Sequence, residues 1–207
     1  MKTTTNFSTY KMVQLALFIA IIVLMDVTKL GYIIKPGMSI TLLVIPVTVG
    51  AIVLGPLQGA ALGAVFGLTS FAQCFGADPV GVALLAYNPI GTFIMTMVPR
   101  ILMGFFTGLI FKALKRIDKT KGISYAVACL AGPALNTVLF LTTMILLFYN
   151  TEIIQGVASA LGAANPFAFI IAAAGVNALA EIGVCFVVGT ALAKTIDIFA
   201  SRSGYKI

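Results

Sequence analysis

Six stretches of this sequence are apolar for long enough to cross a lipid bilayer, and this constrains the fold more than any other feature. A helical span needs about twenty mostly apolar residues, because the hydrocarbon core is roughly 30 Å thick and a helix rises about 1.5 Å per residue. The runs cover residues 11–28, 39–54, 57–74, 90–114, 123–148 and 166–193, and the second and third are separated only by Gly55-Pro56. In hydrocarbon every backbone polar group must be satisfied within the structure, which leaves helices or a closed barrel. A barrel strand alternates with a period of two, whereas these runs are continuously apolar. The predicted fold class is therefore all-α: residues 1–207 form a single integral membrane domain, a polytopic bundle of six transmembrane helices.

Charge supports the same reading. Only 9% of the residues are charged, against about a quarter in a soluble domain. The first run is long, ends at Asp26 and Lys29, and lacks a small-x-small cleavage site, so it reads as a first span and not as a signal peptide. With six spans, both termini share one side of the membrane. That side receives Lys2, Lys11, Lys112, Lys115, Arg116, Lys119, Lys121, Lys194, Arg202 and Lys206, and the other receives only Lys29 and Lys35. The positive-inside rule then puts both termini in the cytoplasm, in a multi-pass protein of a cell membrane. The net charge of +7 is accounted for by topology and anionic headgroups, so no nucleic-acid partner is expected.

Several chemistries are disfavoured by what the chain lacks. It has no histidine, and its cysteines, Cys74, Cys129 and Cys185, stand apart in apolar surroundings, so they read as small core residues and no metal or cofactor is expected. No GxxxxGK[ST] phosphate loop, HExxH or GxSxG occurs, and general acid–base work would fall to Asp26, Glu181 or a tyrosine. The chain is not expected to be an enzyme.

Polar residues within apolar runs mark the candidate site, because an ionisable group facing hydrocarbon costs several kcal/mol, roughly, and so faces a cavity or a partner. Arg100 follows Pro99 inside the fourth run, and Glu181 lies midway along the sixth. Arg100 stays charged at any ordinary pH and needs an anion: either Glu181 or the carboxylate of a bound ligand. Asn136, Asn177, Asn88, Tyr87 and Gln73 complete a set able to hydrogen-bond a small, oxygen-rich molecule; Asn177 and Glu181 share one helical face. Taken singly, each amide also fits a helix-to-helix hydrogen bond.

Small residues recur at four-residue spacing: Ala16 and Ala20 in the first run, Gly59, Gly63 and Gly67 in the third, Gly104 and Gly108 in the fourth. Such stripes let backbones approach closely, within the bundle or against another membrane protein.

The run from Ile45 to Gly63, IPVTVGAIVLGPLQGAALG, continues into FGLTSF and is followed by PRILMGFFTGLIFKALK. This wording resembles the substrate-binding S components of energy-coupling factor (ECF) vitamin transporters, and within them the pantothenate-specific group. The resemblance spans nearly the whole chain. It implies an S component of an ECF-type importer, with a vitamin pocket in the outer half of the bundle lined by Gln73, Tyr87, Asn88, Arg100, Asn136, Asn177 and Glu181. It implies a membrane coupling subunit (EcfT), met by the Ala16 and Ala20 face, and two cytoplasmic ATPases on separate chains. Pantothenate carries a carboxylate for Arg100 and an amide and hydroxyls for the asparagines. Riboflavin or a pyridoxine-type vitamin would leave Arg100 only Glu181. A stand-alone ion-coupled carrier, the reading from another class, predicts transport by the purified chain alone.

Overall fold

The computed structural model describes residues 9–35, 38–118 and 122–202. In chain order it runs α1 (Thr9–Val27), β1 (Tyr32–Lys35), β2 (Met38–Thr41), α2 (Val44–Leu54), α3 (Pro56–Gln73), α4 (Pro79–Tyr87), α5 (Pro89–Lys115), α6 (Ile123–Phe148), α7 (Glu152–Ala160), α8 (Pro166–Val184), a π-helical turn (Cys185–Gly189) and α9 (Thr190–Arg202). Among the described residues three stretches are long and apolar enough to cross a membrane, Pro89–Lys115, Ile123–Phe148 and Ala178–Ile196, and Val44–Leu54 and Pro166–Gly175 are shorter apolar helices. Leu17, Leu24, Leu146, Leu179 and Val187 point outward from the bundle, as a lipid-facing surface requires.

The second apolar run departs from expectation. Residues 39–41 belong to an antiparallel hairpin that pairs Tyr32 with Thr41 and Ile33 with Ile40, and the helix begins only at Val44. Ile33 and Ile34 before Pro36-Gly37, with Ile40 and Thr41 after it, favour a pleated pair over a helix. The sixth run also differs from a single helix. α8 breaks at Gly175, where φ is 28°, and the chain then passes through the π turn and continues helical to Arg202. The loops after the third and fifth runs carry the short helices α4 and α7.

α2 is the axis of the bundle. All but one of its residues are buried, the pattern of a helix enclosed on every side, and α1, α3, α5, α6 and α9 pack around it. Its 11 residues rise only about 16 Å, roughly half the hydrocarbon thickness. A second core of Leu84, Met95, Phe148, Ile154, Ala158 and Phe169 lies under α4 and α7.

Glycines fix α3 against α5. A Cβ built on Gly59 would lie 2.4 Å from the Gly104 carbonyl oxygen, one on Gly63 would lie 2.1 Å from that of Arg100, and one on Gly67 would lie 3.1 Å from that of Thr96. The two backbones touch at three successive turns because no side chain stands between them.

Candidate functional site

Pro99 places the arginine. Lacking an N–H, it leaves the Met95 carbonyl without its helical donor, and Arg100 Nη1 donates to that oxygen at 3.0 Å. The side chain is thereby folded along its own helix, with its guanidinium carbon 4.3 Å from the Phe140 ring centroid and 5.5 Å from that of Phe66. Arg100 is 8% exposed, and its Nε has no hydrogen-bond partner. Among the described residues no carboxylate forms an ion pair with it.

Arg100 lines a cavity of about 400 Å³ at the hairpin end of α2, within the range of small-molecule sites. α2 contributes nothing to its lining; its short length leaves this space open. The walls include Phe66, Ser70 and Gln73 from α3, Met95, Thr96 and Arg100 from α5, and Asn136 and Phe140 from α6, with Lys29, Tyr32 and Thr41 on the hairpin side and Asp78 at the start of α4. Asn136 is 8% exposed and its Oδ1 accepts no hydrogen bond in the protein. The cavity thus holds a buried cationic donor and a buried amide acceptor that are both unsatisfied. Such groups cost about 1–3 kcal/mol each when left unmet.

The hairpin is tied down at both ends. Asp26 at the end of α1 accepts from the Tyr32 hydroxyl at 3.0 Å and from Gln73 Nε2 at 2.6 Å, and Gln73 Nε2 also faces the Tyr32 oxygen. Burial pushes the Tyr32 phenol above its ordinary range, so it remains a donor. At the other end the Thr41 amide donates to Glu181 Oε1 at 2.7 Å.

The expected site residues therefore divide. Gln73, Arg100 and Asn136 meet in one cavity. Glu181 is buried, is not among the lining residues, and accepts from the hairpin backbone at Thr41. Tyr87 and Asn88 are placed elsewhere. Asn88 caps α5, accepting from the Gly91 amide at 2.9 Å ahead of Pro89 at the first helical position. Tyr87, 65% exposed, rests edge-on against Phe148. The side chain of Asn177 lies outside the described residues, though its backbone belongs to α8. Ala16 and Ala20 are exposed on α1, beside Leu17 and Leu24 and away from the buried Phe18 and Ile22. Sequence reasoning passed over Tyr32, Thr41, Phe66, Ser70 and Phe140. Pro36-Gly37 between two β-branched pairs was the available signal for the first two.

A helical membrane bundle with a buried, cation-bearing small-molecule cavity and an exposed small-residue face defines a solute-binding membrane component. Residues 10–193 match the family model for the ECF transporter, substrate-specific component, and the chain belongs to that family. Among curated relatives it is 33% identical over 153 residues to the pantothenic acid transporter PanT of Lactococcus lactis subsp. cremoris (strain MG1363), covering 66% of this chain and 73% of that one.

Proposed function

We propose that this chain is the pantothenate-specific S component of its importer, and that the Arg100 cavity holds the vitamin. The observation that carries the reading is the pair of unmet groups in that cavity. The Arg100 guanidinium lacks an anion and the Asn136 carbonyl lacks a donor. Pantothenate offers a carboxylate to the first and a hydroxyl or amide N–H to the second. Lys29 adds a second positive charge to the lining and Asp78 a negative one at the start of α4, and Gln73 is held by Asp26. The likeness to a pantothenic acid transporter supports the same ligand.

The residues 11–28, 39–54, 57–74, 90–114, 123–148 and 166–193 lie within the membrane thickness in this reading, with both termini in the cytoplasm and the cavity toward the outside. Ala16 and Ala20 form the landing face for the coupling subunit, which works with two cytoplasmic ATPases. The purified chain then binds vitamin without ATP and accumulates none in liposomes by itself.

Ligand chemistry tests the assignment. Removing one member of a buried charge pair costs about 2–5 kcal/mol, roughly thirty-fold to several thousand-fold in affinity. Arg100→Ala should lose pantothenate binding by that factor while remaining folded. Arg100→Lys should recover only part of it, because the planar fork is lost. Pantothenol, with an alcohol in place of the carboxylate, should bind the unaltered protein far more weakly and be insensitive to Arg100→Ala. Equal binding of pantothenol and pantothenate would show that Arg100 does not read a carboxylate.

A further inference from the structure

A second opening lies at the other end of α2. A cleft of about 700 Å³ sits where Leu54, Gly55 and Pro56 turn the chain from α2 into α3. Its walls are apolar, with Leu54, Leu57, Phe105, Leu109 and Phe111 among them. Four cations complete the lining, Lys11 from α1 and Lys112, Lys115 and Arg116 from the end of α5, and its described lining residues include no carboxylate. All four are exposed, and Lys115 Nζ is held 5.2 Å from the Phe111 ring, over an apolar wall. α3 starts in the same cleft with no side-chain cap, so the first-turn amides of Leu57 and Gln58 add positive partial charge.

This combination selects among anions. A free phosphate would satisfy the cations and leave the apolar walls wet. An acidic protein segment would need the walls to close over it, but Leu57 is 76% exposed and Leu109 39% exposed, so the walls run out onto the apolar exterior of the bundle. An amphiphile matches both halves. We propose that this cleft binds one anionic phospholipid, with its phosphate among Lys11, Lys112, Lys115 and Arg116 and an acyl chain along Leu57 and Leu109. A zwitterionic lipid brings its own ammonium into a ring of cations and fits less well. The site is independent of the vitamin cavity and of the ligand assigned there.

Native mass spectrometry of the full chain, titrated with phosphatidylglycerol or phosphatidylcholine, reads this directly. One phosphatidylglycerol should be retained, at least about tenfold more strongly than phosphatidylcholine. Each cation near a headgroup is worth about fivefold, so Lys112→Gln with Arg116→Gln should weaken retention roughly twenty-fold. Lys194→Gln, an exposed cation outside the cleft, should leave it unchanged, and glycerol 3-phosphate at equal concentration should not displace the lipid. The unfolding midpoint of the double variant in detergent, measured without added lipid, should match that of the unaltered chain. Equal retention of the two lipids, an equal loss in Lys194→Gln, or unchanged retention in the double variant would overturn the site. Displacement by glycerol 3-phosphate would assign the cations to a free anion instead.

Discussion

Adding one methyl group to Gly63 tests whether the contact between α3 and α5 holds Arg100 in place. The new Cβ would stand 2.1 Å from the Arg100 carbonyl oxygen and 2.8 Å from its carbonyl carbon, both backbone atoms that cannot rotate away. A comfortable carbon–oxygen contact is about 3.3 Å, so the helices must part locally by roughly 1.2 Å. Overpacking of this kind costs about 1–3 kcal/mol, or a fall of roughly 3–10 °C in unfolding midpoint for a chain of this size. The displacement also exceeds the ~0.5 Å within which a binding constellation tolerates error. Gly63→Ala should therefore lose both stability and at least tenfold in vitamin affinity. Gly183→Ala is the matched control, because a Cβ there meets nothing within 4 Å; the higher helix propensity of alanine should make it neutral or stabilising. Thermal unfolding in detergent and titration calorimetry measure the two effects. If Gly63→Ala melts and binds like Gly183→Ala, the close approach does not position Arg100.

Asn88→Ala should cost about 1 kcal/mol of stability through loss of the α5 cap, with vitamin affinity within about threefold in titration calorimetry; a collapse of affinity would return Asn88 to the site. Ala16→Trp or Ala20→Trp places a ring on an exposed face, so binding should hold within a few-fold while uptake by the assembled importer fails. Equal loss of binding would make that face internal packing.

The membrane class of the chain was plain in the sequence because it depends on run length and charge scarcity, which no packing detail alters. The glycine stripe was equally legible, since spacing by four residues fixes one helical face. Arg100, Asn136 and Gln73 stood out in the sequence because buried polarity is costly wherever the chain puts it, and the structure brings the three to one cavity. The capping role of Asn88 was legible for a local reason: an asparagine directly before a proline is a helix start, and Asp78-Pro79 and Asn165-Pro166 repeat the signature. The hairpin was absorbed into an apolar run because isoleucine serves strands and spans equally. Glu181 and Arg100 could be paired on paper, because nothing in one dimension reveals that the Thr41 amide reaches the carboxylate first.

The glycine ladder between α3 and α5 also restricts how the cavity can open. Backbones that interlock every four residues cannot shear gradually; the next matching register is a displacement of about 6 Å along the axis. Two walls of the cavity, one bearing Phe66, Ser70 and Gln73 and the other Met95, Thr96 and Arg100, therefore travel as one plank. If the cavity holds the vitamin as proposed, passage in and out falls to the hairpin side, where Tyr32 and Thr41 are held by hydrogen bonds to Asp26 and Glu181. Those bonds can break and re-form without disturbing the helices behind them.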